Sequence, residues 1–196
     1  GSIDCVEPDT LRRAVVGVQS IVDPRLRWHA VTPAAAVASR SGAYDVIVST
    51  RSPILGATAA STRTREFYLH VARQLGESGL FCQSLSTEDA GLAAMAWPLA
   101  TLKSVFSRTA CVPVGSGQVL LLATNGDHLL DRPGLVQRLQ RPQVAEALAE
   151  IGWDWATMLQ LPVHKNWVGM DELTPIAIID GRFTTRLVEG VLAGSG

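Results

Sequence analysis

Short apolar runs alternate with amphipathic helical patterns through the first half of the chain, and this alternation constrains the fold more than any other feature. Residues 3–7 (IDCVE) read as a short strand, closed by Pro8 as a favourable first helical residue. Leu11, Ala14, Val15, Val18 and Ile21 recur at helical spacing and predict an amphipathic helix over 9–20. Leu26, Trp28 and Ala30 alternate with Arg27, His29 and Val31, which predicts a strand with one polar face. A small helix follows over 34–39, broken by Ser41-Gly42, and residues 44–49 (YDVIVS) have the strongly apolar character of a strand buried in a parallel sheet. Phe67, Val71 and Leu75 place a helix over 64–75, ended by Gly76 and Gly79, and residues 79–85 (GLFCQSL) form the next strand. Ser86 with Asp89 is a capping-box pattern for a helix running towards Phe106 and kinked near Pro98. Two strand candidates, 104–112 and 118–124, flank a Gly-Ser-Gly turn, and helices over 134–140 and 144–151 follow, the second stopped by Gly152. This order predicts an α/β fold: a doubly wound, mostly parallel sheet with an antiparallel hairpin at one edge. With no repeat, low-complexity tract or charge run, residues 1–196 read as one domain.

Composition narrows the function classes. Hydrophobic residues make up 47% and charged residues 18%, which excludes intrinsic disorder. Seventeen basic side chains against eighteen acidic ones give a net charge of -1, so a nucleic-acid partner is not expected. The uncharged stretch 109–126 contains Pro113, Gly115, Ser116, Gly117 and Asn125, and 90–102 is too short, so no membrane span is expected. The chain opens directly in a strand-like run with no signal-peptide pattern before it. Cys5, Cys82 and Cys111 are odd in number, widely spaced and flanked by apolar residues, as buried thiols in a reducing compartment are. The expectation is a soluble, cytoplasmic protein.

Several common chemistries find no support. Gly115-Ser116-Gly117 is not a nucleophile elbow, which needs Gly-x-Ser-x-Gly between strand and helix. His29, His70, His128 and His164 lack helical metal-ligand spacing. Arg63, Arg65 and Arg73 suggest a small cationic patch or a solvated helix face, and Trp153, Trp155 and Trp167 mark a segment that covers the core or makes a subunit interface. Tyr68 and Trp97 read as core aromatics, and Asp45 as a strand-start residue.

YDVIVS at 44–49, TREFY at 64–68 and GLFCQSL at 79–85 together resemble the aminopropyltransferase (spermidine synthase) family and its membrane-fused bacterial relatives. The resemblance extends weakly to IDCVEPD and through VFSR, PVGSGQVLLLAT and the 135–152 helices, covering roughly residues 3–152. It implies the Rossmann-like fold of S-adenosylmethionine-dependent methyltransferases. In that fold the first strand is central, and the chain begins at what corresponds to the second. Residues 176–180 (IAIID), followed by Gly181 and a helical pattern over 184–193 with Leu187 and Val191 on one face, supply a strand, glycine turn and helix of the missing kind. The expectation is a circular permutation, or a domain swap between copies, that sets 176–180 beside 3–7 and 44–49; a peripheral strand and helix is the alternative.

The resemblance also says where chemistry should sit. The catalytic aspartate of the family follows the strand matched by YDVIVS, and Thr50 stands there, followed by Arg51, Ser52 and Pro53. A threonine cannot act as general base towards an amine, and Arg51 repels a cationic polyamine. The family's acidic residue near adenine falls at Thr32-Pro33, and the tyrosine of its Tyr-Pro-Ser-Gly turn near Val114, with only Ser116 and Gly117 retained. Glu7, Asp180 and Gly181 are the cofactor-binding candidates: Glu7 ends the IDCVE strand where this fold takes ribose hydroxyls, or else interacts with the dipole of helix 9–20. Gln83 matches a family glutamine near the amine pocket and is the substrate-binding candidate, or a solvated strand-end residue. The resulting expectation is a spermidine synthase-like domain with eroded catalytic and cofactor sites, no cofactor, and a structural or interaction role, possibly as a homodimer. The alternatives are an active transferase using S-adenosylmethionine or its decarboxylated form, and a fragment whose remaining residues complete the site.

Overall fold

The computed structural model describes residues 1–19, 23–39, 42–50, 60–86, 91–114, 117–129 and 132–165. Strand β1 (Ile3–Val6) and strand β2 (Leu26–His29) pair in parallel, with Ile3 opposite Leu26 and Val6 opposite His29. Helix α1 (Thr10–Gln19) connects them. It starts two residues later than Pro8 suggested, because Asp9 is the cap: its Oδ1 accepts from the Leu11 amide at 2.8 Å and the Arg12 amide at 3.3 Å. Helix α2 (Pro33–Ser39) begins in the same way, with Thr32 Oγ1 accepting from the Ala35 amide.

Strand β3 (Tyr44–Ser49) pairs in parallel with β4 (Leu75–Ser86), and helix α3 (Arg65–Gln74) packs between them in sequence. TREFY has a physical explanation here. Thr64 caps α3 by accepting from the Phe67 amide, Glu66 lies in the first turn where the helix dipole favours an acid, and Phe67 and Tyr68 face the core. The expected helix stop at Gly76 and Gly79 is instead an irregularity inside β4: the register steps from Tyr44 opposite Leu75 to Val46 opposite Leu80. A Cβ on Gly79 would lie 2.9 Å from the Tyr44 carbonyl oxygen and 3.0 Å from Leu75 Cβ, so the glycine serves close strand approach.

Helix α4 (Gly91–Lys103) contains Pro98, and Asp89 of the expected capping box lies outside the described residues. Strand β5 (Arg108–Pro113) starts later than expected, because Ser104 and Phe106 still donate their amides to the Ala100 and Leu102 carbonyls of the helix. Strand β6 (Gln118–Thr124) pairs antiparallel with both β5 and β4, giving the order β3-β4-β6-β5 with the hairpin at the edge. The fold is α/β as expected, with a larger antiparallel share than a mostly parallel sheet implies. Among the described residues β1 and β2 form a separate two-stranded sheet; the 176–180 strand expected between them and β3 lies outside those residues.

Helices α5 (Arg132–Leu139), α6 (Pro142–Glu150) and α7 (Trp155–Gln160) follow. Gly152, at φ +73°, ends α6 as expected: its amide donates to the Ala149 carbonyl and the Trp153 amide to Leu148, the double closure of a Schellman motif. α7 was not foreseen. Asp154 starts it, accepting from the Thr157 amide at 2.6 Å, and that bond holds the Asp154 carboxyl below its ordinary range. The core lies where α3 and α4 cover the four-stranded sheet. Phe81 is its centre, edge-on to Phe67 and Tyr68 and stacked on Phe106 at a centroid distance of 6.2 Å.

Candidate functional site

In open α/β sheets, ligands bind beyond the carboxyl ends of the parallel strands, where the strand order breaks. Glu7 directly follows β1 at such an end and is half-buried, its amide donating to the His29 carbonyl at the matching end of β2. Glu7 Oε1 accepts from the Asp9 amide at 2.9 Å, which orients the carboxylate. Since Asp9 caps α1, Glu7 is spared that role. A carboxylate offers about four lone-pair sites, so one bond from Asp9 leaves acceptor capacity for a pair of hydroxyls. Residues of this type and placement fit the ribose of a nucleoside cofactor. The other two cofactor-binding candidates, Asp180 and Gly181, lie outside the described residues.

Gln83 is neither at the strand end nor solvated. It is 2% exposed and fully engaged with its neighbours. Its Oε1 accepts from the Tyr68 hydroxyl at 2.6 Å, and its Nε2 donates to the Thr62 carbonyl at 3.0 Å and to Ser49 Oγ at 3.4 Å. Burial pushes the Tyr68 hydroxyl well above its ordinary range, against the opposing pull of the Arg63 charge, so the phenol stays a donor. The network therefore ties α3, β3, β4 and the 60–64 turn together. Its amide acts as an internal brace for the strand ends above which a ligand would sit. Ser86, 2% exposed at the end of β4, has a hydroxyl with no hydrogen-bond partner among the described residues.

Thr50 follows β3 and is exposed, as the sequence placed it; Arg51, Ser52 and Pro53 lie outside the described residues. Arg63 does not belong to a surface patch with Arg65 and Arg73, because it is 3% exposed while those two are exposed. A second polar cluster escaped the sequence reading. Asp4 on β1 meets His29 Nε2 on β2 at 2.6 Å, and its other oxygen accepts from the Tyr44 hydroxyl on β3 at 2.9 Å. These partners are 25 and 40 residues away in sequence, so only pairing β1 with β2 across from β3 could have revealed them. Among the described residues no group of three or more His, Cys, Asp and Glu converges on a metal position, and no helix is long and apolar enough to cross a membrane.

The three cysteines are free thiols, with Cys111 buried in β5. Burial pushes the Cys111 thiol up to about 11. Because the thiolate is the nucleophile, about one Cys111 in a thousand is reactive at pH 8. Alkylation by iodoacetamide followed by mass spectrometry should leave Cys111 unmodified at pH 8 under native conditions and label it on unfolding. Rapid native labelling at pH 8 would contradict this placement.

No family profile matches the sequence, and no curated protein matches it. Solved structures do. A probable spermidine synthase from Corynebacterium glutamicum superposes with a TM-score of 0.59 at 21% identity, covering 91% of this chain and 63% of that one. A spermidine synthase in complex with the transition-state analogue AdoDATO gives 0.58 at 19% identity, covering 74% and 57%. Human methyltransferase-like protein 13 in complex with SAH gives 0.56 at 24% identity, covering 88% and 76%. The chain thus has the spermidine synthase-like, Rossmann-like methyltransferase fold, and spans 57 to 63% of the length of these two synthases. The expectation of a domain without a cofactor is corrected by these complexes: two proteins of the same fold hold SAM-like ligands.

Proposed function

We propose that this chain is a SAM-type nucleoside-binding domain of the spermidine synthase-like fold that does not carry out aminopropyl transfer. The observation that carries the reading is Glu7: a half-buried carboxylate at the carboxyl end of β1, oriented by the Asp9 amide and relieved of helix capping by Asp9 itself. A carboxylate in that position accepts the two ribose hydroxyls of an S-adenosyl compound, the geometry this fold uses for nucleosides. Aminopropyl transfer from decarboxylated S-adenosylmethionine would need an amine held beside the sulfonium carbon and a base to take the proton from its nitrogen, with methylthioadenosine as the leaving group.

Two features argue against that transfer here. Thr50 is an exposed hydroxyl at the position where the resemblance expects the base, and a hydroxyl does not take a proton from an ammonium near neutral pH. Gln83, the residue matched to the amine pocket, spends both ends of its amide on Tyr68, Thr62 and Ser49. The protein incubated with decarboxylated S-adenosylmethionine and a diamine should release no methylthioadenosine above the buffer rate, while calorimetry detects binding of the nucleoside. Multiple turnovers would replace this reading with that of an active transferase. Absence of both binding and turnover would remove the nucleoside role and leave the purely structural one.

A further inference from the structure

We propose that Asp4, His29 and Tyr44 are positioning residues for the nucleoside site, which hold Glu7 in place through the end of β2. The proposal takes its ligand from the nucleoside reading above. Its geometry stands without that reading, because a continuous run of hydrogen bonds leads from β3 to the Glu7 carboxylate. The Tyr44 hydroxyl donates to Asp4 Oδ2 at 2.9 Å, and Asp4 Oδ1 meets His29 Nε2 at 2.6 Å. The His29 carbonyl then accepts from the Glu7 amide at 3.1 Å, and Glu7 Oε1 accepts from the Asp9 amide at 2.9 Å.

His29 serves both neighbours because of where it stands. β1 and β2 run in parallel, with Asp4 opposite Arg27 and Val6 opposite His29. Side chains two apart on a strand share a face, so the His29 ring can lean back along the pair to Asp4. Its carbonyl meanwhile takes the amide of Glu7, the residue that follows β1. Each strand is only four residues long and His29 is the last of β2, where ladder bonds open most readily. The bond from its ring to Asp4 restrains that end.

Asp4 is the shared acceptor. An ionised carboxylate only accepts, so Tyr44 contributes one proton and His29 Nε2 carries the other. The side chains of Asp4 and His29 are 16% and 27% exposed, where a charge-assisted bond of 2.6 Å is little screened by salt. Tyr44 reaches the same carboxylate from β3, so Asp4 ties β1 to that strand as well as to β2. Glu7 has little latitude if it is to take two ribose hydroxyls. A shift of about 0.7 Å carries a hydrogen bond from its usual length of about 2.9 Å to a distance at which it is lost.

The test, on the full 196-residue chain, separates position from stability. Asp4→Ala removes both bonds. Asp4→Asn keeps them, its oxygen accepting from Tyr44 and its amide donating to the imidazole in the other tautomer. In calorimetric titrations with S-adenosylmethionine, its decarboxylated form and methylthioadenosine at pH 8, Asp4→Ala should weaken binding about tenfold and Asp4→Asn less than about threefold. In a Glu7→Ala background Asp4→Ala should weaken it no further, because the residue being positioned is gone. Amide hydrogen exchange gives a readout without ligand: the Glu7 amide should exchange at least about tenfold faster in Asp4→Ala, with the amides of β4 and β6 unchanged. Where Asp4→Ala also disturbs β4, Tyr44→Phe removes one bond only and should give the same pattern at smaller amplitude. A Glu7 amide unaffected by these variants overturns the proposal, as do equal losses of affinity with and without Glu7. A chain that binds no nucleoside, but whose Glu7 amide responds to Asp4→Ala, overturns the nucleoside reading and supports the hold of this cluster on Glu7.

Discussion

Phe81→Ala is expected to cost about 3–5 kcal/mol of folding stability, a large share of what a domain of this size possesses. Phe81 is fully buried at the centre of β4, flanked by Ile47 of β3 and Ala123 of β6 in the sheet. Above the sheet its ring meets Tyr68 at a centroid distance of 5.8 Å and Phe67 at 6.3 Å, both edge-on. Its parallel contact with Phe106 ties the end of α4 to the same point. Truncation removes the shared partner of three rings from elements that cannot collapse together, so the lost transfer energy is joined by a cavity term. Urea unfolding should show a lower midpoint with the slope unchanged. Ile151→Ala, which removes apolar bulk from a position 68% exposed, should stay within about 0.5 kcal/mol. Equal effects of the two variants would mean that the core is not organised around Phe81.

Gln83→Leu should destabilise nearly as much, for a different reason. Leucine matches the volume but strands the Tyr68 hydroxyl, the Thr62 carbonyl and Ser49 Oγ, of which the first two are buried. Each buried polar group left without a partner costs about 1–3 kcal/mol. Tyr68→Phe alone strands Gln83 Oε1 in the same way. The double variant removes both members of the 2.6 Å bond, so its cost should fall short of the sum of the single costs by about 0.5–3 kcal/mol. Additive costs in that cycle would show that the two side chains are not coupled.

How far these features were legible differs from element to element. The helical repeat of Phe67 and Val71 and the apolar run YDVIVS placed α3 and β3 within a residue, because a 3.6 period and a β-branched apolar run are local signals; the burial expected of β3 is not seen among the described residues, where Val46 and Val48 are 54% and 59% exposed. Gly152 was legible as a helix stop because nothing but its own backbone bonds decides it. Gly76 and Gly79 were not, since a glycine that ends a helix and one that admits a neighbouring carbonyl look alike until Tyr44 is set across from them. Gln83 was singled out through the family resemblance, as an amine-pocket residue or a solvated strand end; its burial and its bonds turned on Tyr68, Thr62 and Ser49 from three other places in the chain. The same limit hid the Asp4–His29–Tyr44 cluster. At Glu7 the sequence left two readings, ribose acceptor and helix carboxylate; Asp9 takes the cap, and Glu7 accepts the Asp9 amide just ahead of α1.

The central claim, that Glu7 marks a nucleoside site, is tested most directly by calorimetric titration of the chain and of Glu7→Ala with S-adenosylmethionine, decarboxylated S-adenosylmethionine and methylthioadenosine. All three share the ribose. Micromolar binding of at least one of them is expected, with a loss of about a hundredfold or more in Glu7→Ala, since two hydrogen bonds to a charged acceptor are each worth about 1.5–3 kcal/mol. Thermal unfolding without ligand should be little changed in the variant, because Asp9 still caps α1. Binding that is identical in the two proteins, or absent from both, would contradict the claim.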